Sequence, residues 1–204
     1  MIPRFLRWAA AILPLIAVTQ PPTAVAQDCP TAASAARGFV VERGEQTRTE
    51  VHLDDPIVRT VMRFAGSPML ETTQFQGLFQ LDRLEQGQRT VFRYRKDLGA
   101  FFPLKAGQEI NAEFEIVGAD GRPITAALAL SVKAADTLSI GACKYTVLKI
   151  DRSESRGGGP MRFINTDYYS PDLKIVLAKE FEDRRGGSRL NKFDRISPLD
   201  LKAR

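Results

Sequence analysis

Few side chains in this chain have the types and spacing that chemistry requires. The single histidine, His52, is followed closely by Asp54 and Asp55, which could supply part of a metal site. Zinc sites need three or four ligands, and the sequence offers no second histidine and no neighbouring cysteine. A Ser-His-Asp triad would need the same histidine, and no serine stands in a nucleophile-elbow sequence. We therefore predict no metal site and interpret His52 as a surface-facing strand residue.

Two pairs of acidic residues are close enough in sequence for acid–base chemistry. These are Asp54-Asp55 and the pair Glu113 and Glu115, which share one face of a strand. Paired carboxylates are the machinery of glycoside hydrolysis, so an enzyme acting on envelope polysaccharide is an alternative. Acids that alternate with apolar residues are also typical of an ordinary solvated strand face. We favour this second interpretation and predict no catalytic residue and no cofactor.

The glycine-rich run Gly157-Gly158-Gly159-Pro160 is not a phosphate-binding loop. No Lys-Ser/Thr pair follows it, and no helix start is available to supply backbone amides. We predict a flexible hairpin loop that Arg152, Arg156 and Arg162 make basic.

Basic residues also gather near the C-terminus. An anionic lipid headgroup or an envelope polymer could bind there, but Glu180, Glu182, Asp183 and Asp194 are interleaved and favour a mixed, solvated surface. The basic residues are Arg184, Arg185, Arg189, Lys192, Arg195, Lys202 and Arg204.

The first 26 residues are typical of a secretory signal peptide. Arg4 and Arg7 form a basic start, an apolar run follows, and Ala24-Val25-Ala26 is a cleavage sequence before Gln27. The apolar run is shorter than the about 20 residues that a membrane-spanning helix needs. Cys29 follows Asp28, where a lipidation site needs a small residue. We therefore expect a mature domain of residues 27–204 that is periplasmic or secreted and does not span the membrane.

Composition and cysteine count limit the partners further. Loss of Arg4 and Arg7 with the signal peptide lowers the formal charge from +5 to +3, which does not indicate a nucleic-acid-binding protein. The mature chain keeps two cysteines, Cys29 and Cys143, and an oxidising compartment favours one disulfide between them. The sequence contains no Cys-x-x-Cys motif, so a redox enzyme is not indicated.

From Gly38 onward the pattern is β almost throughout, with turn signals at regular spacing. It predicts about eleven to thirteen strands in one antiparallel meander. Asp120-Gly121 between two alternating runs is a strong hairpin signal. Gly77 interrupts the run Met69–Leu84, where we predict a bulge or a sharp bend.

The stretch Leu138–Phe181 carries the clearest strand and turn signals, and we predict that it forms the centre of the sheet, covered on both faces. Ser170-Pro171-Asp172-Leu173 fits a type I turn, which favours a bulge or a longer loop in its hairpin. Tyr168 and Tyr169 should point to opposite faces, one toward the core and one toward water.

Three short segments resemble elements of exported bacterial β-sheet proteins of unknown function. They are Phe101-Phe102-Pro103-Leu104-Lys105-Ala106-Gly107, Gly141-Ala142-Cys143-Lys144-Tyr145 and Tyr168-Tyr169-Ser170-Pro171-Asp172-Leu173. The likeness covers about Phe101 to Phe181. Proteins of this group look similar to the lipoprotein-carrier fold, a curved sheet wrapped as a half-barrel that can hold acyl chains in its concave face.

These observations together predict an all-β fold, a single curved antiparallel meander shaped as a half-barrel or open barrel. The function we expect is non-enzymatic binding in the cell envelope of an apolar or amphipathic ligand. The expected partner is a lipid or another envelope protein. A structural accessory subunit and an enzyme acting on envelope polysaccharide are the alternatives. A large apolar concavity would favour binding, and converging carboxylates with shifted pKa values would favour the enzyme.

Overall fold

The computed structural model of the chain describes residues 28–182 and 186–199. The predicted signal peptide, residues 1–26, lies outside them. One short helix, α1 (Ala32–Ala35), precedes a succession of strands that confirms the all-β prediction. The strands are β1 (Phe39–Arg43), β2 (Thr47–Asp54), β3 (Ile57–Phe64), β4 (Ser67–Phe75), β5 (Phe79–Glu85), β6 (Gln88–Tyr94), β7 (Glu109–Val117), β8 (Pro123–Ile140), β9 (Cys143–Arg156), β10 (Arg162–Ser170), β11 (Ile175–Glu182), β12 (Ser188–Lys192) and β13 (Arg195–Pro198).

The thirteen strands of the described residues form one antiparallel sheet. From β1 to β12 each strand pairs with the next one in the chain, which is the predicted meander. β13 then pairs with β1, so the two edges of the sheet, β12 and β13, are consecutive in sequence. Only Phe193 and Asp194 separate them. The sheet must therefore curve strongly to bring its edges so near, although it does not close into a barrel.

The β7–β8 hairpin shows how the sequence pattern sets the fold. Alternation along β7 buries Ile110, Ala112 and Phe114 and leaves Asn111 and Glu113 between them exposed. The predicted turn at Asp120-Gly121 joins β7 to β8. β8 pairs with β7 as far as Ser131, which lies opposite Glu109 at the start of β7. It then continues to Ile140, and from Ala126 to Ile140 it pairs with β9.

Two clusters of buried apolar side chains stabilise the sheet. The first core takes side chains from both ends of the chain, including Phe39, Val51, Leu138, Val147, Leu177 and Ile196. The second core takes them from the middle strands, including Leu78, Phe79, Ile110, Phe114, Leu128, Leu130 and Ile150.

The two cores lie against opposite faces of β9. Successive side chains of a strand point to opposite faces, so Val147 in the first core and Ile150 in the second core, three residues apart, face opposite ways. A register shift in β8 between Val132 and Ala135 accompanies the change. The first half of β9 is thus covered by the first core on one face, and the second half is covered by the second core on the other face.

The disulfide expected from the cysteine count is present. It joins Cys29, before α1, to Cys143 at the start of β9, with a Cα–Cα distance of 5.6 Å and a sequence separation of 114. Cys143 is buried within the first core. Closing a loop of this length stabilises the fold by about 4–5 kcal/mol in the chain-entropy model.

The run Met69–Leu84 is not one strand, and the sharp bend predicted at Gly77 is a tight turn. The chain forms two strands, β4 and β5, with a tight turn at Gln76-Gly77 between them. Gly77 has φ of +65°, and a Cβ atom there would lie 1.7 Å from the backbone oxygen of Lys174. Glycine therefore allows both the positive φ at position 77 and the close approach of the turn that precedes β11.

Two predictions about the stretch Leu138–Phe181 need correction. In the strand order β11 lies beside the edge strand β12, so the stretch is not the centre of the sheet. Tyr168 and Tyr169 do point to opposite faces, but both are buried, because the first core covers one face of β10 and the second core covers the other. The predicted bulge is confirmed by a register shift between these two residues.

Candidate functional site

The second core does not fill the concave side of the sheet, and three adjoining cavities remain there. We call them the central cavity (about 170 Å³), the inner cavity (about 310 Å³) and the rim cavity (about 230 Å³), and together the groove. The central and inner cavities share Gln74, Leu78, Arg152 and Lys179. The central and rim cavities share Arg83, Phe92 and Arg156. The groove therefore runs continuously past Arg152 and opens toward Arg156.

One wall of the central cavity is apolar and aromatic. The sequence places Phe92 and Tyr94 on one face of β6, and both line the cavity together with Phe114 and Leu128. The rings of Tyr94 and Phe114 stack with centroids 5.0 Å apart, and those of Phe92 and Phe114 are 6.1 Å apart. Apart from the Tyr94 hydroxyl, this wall offers only apolar surface to a ligand.

The opposite wall is built around a buried ion pair. The Arg152 Nε atom donates a hydrogen bond of 2.8 Å to Oδ2 of Asp167, and Arg152 Nη2 donates one of 3.1 Å to the backbone oxygen of Leu78. Asn165 Nδ2 donates to the other carboxylate oxygen of Asp167 at 2.6 Å. The Asp167 side chain is fully buried, and 13% of the Arg152 side chain is exposed.

The prediction that Arg152 belongs to the glycine-rich loop is wrong. Arg152 lies in β9, five residues before Gly157, and its side chain points into the groove. Arg156 ends β9 beside the loop and is exposed, as is Arg162 at the start of β10. The loop therefore keeps two of the three arginines assigned to it, and the third belongs to the interior.

Burial and mutual attraction set the charges of this pair. Burial by itself favours the neutral forms of Arg152 and Asp167. Against it, the attraction and hydrogen bond of Asp167 raise the pKa of Arg152, and Arg152 and Lys179 lower the pKa of Asp167. Both groups are thus charged at neutral pH. Burial also raises the pKa of Tyr94 to about 12, so its hydroxyl keeps its proton.

Further charges extend this pair into a network along the groove. Glu154 lies 3.7 Å from Arg152 and 3.6 Å from Arg156, and Lys179 Nζ lies 3.5 Å from Asp167. Arg83 Nη2 contacts Glu85 at 2.6 Å. Among the described residues these contacts bring four basic side chains to three carboxylates, an excess of one positive charge, and the Arg83–Glu85 pair is separate from the others.

Within the described part of the chain, two buried nitrogen donors of the central cavity have no hydrogen-bond partner. They are Nε2 of Gln80 and Nε of Arg83. A buried donor without a partner costs about 1–3 kcal/mol relative to a satisfied one. The residues that line this cavity are thus not fully satisfied by one another.

His52, which we interpreted as surface-facing, lies outside the groove and is half-buried. It lines a cavity of about 590 Å³ on the outer face, which we call the outer cavity, together with Arg59, Glu71, Asp82 and Arg89; this cavity shares Thr60 and Thr72 with the inner cavity. Within residues 28–182 and 186–199, no three metal-ligating side chains lie close enough together to hold an ion.

The acidic pairs named in the sequence are engaged elsewhere. Asp55 accepts hydrogen bonds from Lys174 and Gln76, and the bond from Lys174 lowers the pKa of Asp55. Glu113 and Glu115 are both paired with Arg95, at 3.3 and 3.8 Å. The structure does not bring these four acids together.

The C-terminal basic residues lie partly outside the described part of the chain. Arg184, Arg185, Lys202 and Arg204 fall there. Arg195 donates to Glu42, Lys192 donates to the backbone oxygen of Ser139, and Arg189 is exposed in β12. Two of these cations are therefore engaged in contacts that hold the edge strands in place.

Sequence reasoning missed Asp167, Glu154 and Lys179 as members of a site. The signal is hidden because the buried face of β9 changes between Val147 and Ile150. Once this change of face is taken into account, the alternation places Ile150, Arg152 and Glu154 on one face of β9. A charged pair that continues a buried face is the pattern that could have indicated an interior polar site.

Comparison with known proteins gives no match to a family model and none to a curated protein. Among solved structures, the chain is similar to the hypothetical lipoprotein YmcC from Escherichia coli K12, with a TM-score of 0.46 and 10% identity over 76% of this chain and 86% of that one. It is also similar to a protein with a YmcC-like fold from Bacteroides fragilis, with a TM-score of 0.42 and 8% identity over 78% and 92%. No helix in the described residues is long and apolar enough to cross a bilayer. Function is therefore inferred from the groove itself.

Proposed function

We propose that this chain is a non-enzymatic, exported protein of the cell envelope that binds an amphipathic ligand in the groove. One observation carries the proposal: a continuous interior groove has an aromatic wall facing a wall of charged and amide side chains. Sites of this kind combine apolar lining with a few placed polar groups, and these orient the ligand. The signal sequence and the disulfide support an oxidising compartment outside the cytoplasm.

The size and polarity of the groove favour a small ligand with two unlike ends. The three cavities have volumes of about 170, 310 and 230 Å³. A purely apolar chain would leave Arg152, Glu154 and Gln80 facing a surface that neither donates nor accepts hydrogen bonds, which is costly. A ligand with an apolar body and a polar head suits both walls. This narrows the lipid or apolar partner expected from the sequence to an amphipathic one.

Binding is favoured over hydrolysis of polysaccharide by the state of the carboxylates. Glycosidases need one carboxylic acid that keeps its proton near neutral pH. Asp167, one of the two carboxylates drawn to Arg152, has a lowered pKa because Arg152 and Lys179 are close to it. Glu154 lies between Arg152 and Arg156. Both carboxylates are placed to balance arginines.

Native mass spectrometry of the exported protein tests the proposal. Gln74 lines both the central and the inner cavity, and Thr73, its neighbour on β4, lines the outer cavity instead. We expect wild type and Thr73→Trp to carry a co-purifying small molecule, and Gln74→Trp to lose it because the larger ring fills the groove. Circular dichroism of each variant checks its fold. Wild-type protein that carries nothing and takes up no amphipathic ligand would contradict the proposal.

A further inference from the structure

The ligand class can be narrowed by the charge network, on the basis of the proposed binding function. The four basic side chains Arg83, Arg152, Arg156 and Lys179 meet only three carboxylates, Glu85, Glu154 and Asp167. A bound group with one negative charge would balance the network. A dianion or a cation would leave it unbalanced.

The position of the bound anion follows from which of the four basic side chains already have partners. Arg152 is held by Asp167 and by the backbone oxygen of Leu78. Arg83 and Arg156 are more open, with 40% and 68% of their side chains exposed, and each has a single carboxylate of the described residues within ion-pair distance. Among the described residues, these two arginines are the charged ones that line both the central and the rim cavity. An anion at the junction of these cavities would meet both.

Two further observations place a polar head at this junction and an apolar body beside it. The unpartnered Nε atom belongs to Arg83, and the unpartnered amide nitrogen of Gln80 lines the same cavity. Small rotations of these side chains toward an acceptor would give both donors a partner. Phe92 is the third residue that the central and rim cavities share, and Phe114 and Leu128 lie next along the central cavity.

We propose that the junction of the central and rim cavities binds the monoanionic head of an amphipath, a carboxylate or a phosphodiester. Arg83 and Arg156 contact the head, Gln80 donates a hydrogen bond to it, and the apolar body lies against Phe92, Phe114 and Leu128. Arg152 acts as a positioning residue that holds Glu154 and the floor of the cavity in place. Neutral amphipaths of the same length should bind more weakly.

Isothermal titration with decanoate, methyl decyl phosphate (a phosphodiester with one negative charge) and neutral monodecanoylglycerol tests this inference. The variants are Arg83→Gln, Arg156→Gln and, as a matched control, Arg89→Gln, whose arginine is paired with Asp82 on the outer face. We expect each groove variant to weaken decanoate binding by about tenfold or more, since charge-assisted hydrogen bonds exceed neutral ones. Arg89→Gln should bind like wild type. Raising the salt from about 0.01 M to about 1 M should weaken anion binding more than ester binding.

The outcomes separate this inference from the function it rests on. Equal binding of decanoate and the ester, unchanged by Arg83→Gln and Arg156→Gln but abolished by Gln74→Trp, would overturn the anionic head and leave the groove as a binding site. No binding of any of the three compounds to wild type would overturn both. Stronger binding of decanoate and methyl decyl phosphate than of monodecanoylglycerol would support a site for a single negative charge. Binding of only one of the two anions would contradict recognition by charge.

Discussion

Arg152 and Asp167 show how one buried contact orders several strands. The arginine comes from β9, its carboxylate partner from β10, and the backbone oxygen of Leu78 from the turn between β4 and β5. Burial of two charges is costly unless each is paired and hydrogen-bonded. Here Asn165 and Lys179 satisfy the remaining carboxylate oxygen. Both members of the pair therefore stay charged, and the pair holds the groove wall in place.

Removal of the carboxylate should destabilise the fold strongly. In Asp167→Asn the buried Arg152 loses its main partner, and breaking a buried pair in this way costs about 3–5 kcal/mol. The check is the free energy of unfolding from urea titration at neutral pH. The control is Glu113→Gln, which breaks an exposed pair with Arg95 and should cost about 1 kcal/mol or less. Equal losses in the two variants would contradict a buried role for Asp167.

The cost of Asp167→Asn should depend on pH in a defined direction. The folded-state pKa of Asp167 is lowered from its usual 3.8. A group of this kind contributes stability that is present above the unfolded-state pKa and is lost as pH falls through the folded-state pKa. The difference between wild type and variant should thus stay constant from neutral pH down to the unfolded value and shrink below it. Urea titrations over this pH range measure it, and a difference that grows on acidification would be inconsistent with a lowered pKa.

Among the elements, the β4–β5 turn is where the sequence pattern gave an incomplete account. The glycine signal was correct, but nothing local to Met69–Leu84 reveals that the backbone of Lys174 packs against Gly77. By contrast β7 and β8 could be predicted closely, because a clean alternation and an Asp-Gly turn are both local. Features that depend on a distant strand are the ones that sequence reasoning missed.

Alanine at Gly77 should be far more costly than alanine at another glycine with positive φ. Gly87 has φ of +80° and nothing within 4 Å of an added Cβ, so Gly87→Ala should cost only the left-handed strain of about 1–2 kcal/mol. Gly77→Ala adds an overlap with backbone, which cannot turn away as a side chain can. We expect its loss to exceed that of Gly87→Ala by about 2 kcal/mol or more in thermal or urea unfolding. Similar losses would show that Lys174 can move away freely.

The same reasoning explains which parts of the groove could be anticipated. The aromatic wall follows from the alternation of β6, which places Phe92 and Tyr94 on one face. The charged wall depends on the change of buried face within β9 and on β10 lying beside it in a shifted register. A single sequence indicates neither directly. The ion pair of Arg152 and Asp167 was therefore visible only once the strands were paired.

On the scale of the whole molecule, contacts between distant parts of the chain hold the curved sheet. The segment Ser188–Pro198 supplies both edge strands, and Asp194 accepts a hydrogen bond of 2.6 Å from the backbone of Gly44. The Cys29–Cys143 disulfide ties the N-terminal segment to β9. Both links join segments near the ends of the described residues to elements that carry the first core.

Loss of the disulfide should lower the stability of the whole fold. Opening a loop of 114 residues removes about 4–5 kcal/mol in the chain-entropy model, and measured effects are often smaller. The double variant Cys29→Ser, Cys143→Ala should therefore unfold at lower urea concentration than the oxidised wild type. Wild type in a reducing agent serves as the matched comparison. Two free thiols in the exported wild type, found by mass analysis without reduction, would contradict the link.

The central claim is that the groove, and not the outer face, binds an anionic amphipath. The most direct measurement is a chemical-shift titration of isotope-labelled protein with decanoate. The account predicts that the amides around Arg83, Phe92, Leu128 and Arg156 shift together and saturate, while those around His52 and Arg59 on the outer face do not. Shifts confined to the outer face, or no saturable shift at any residue, would contradict it.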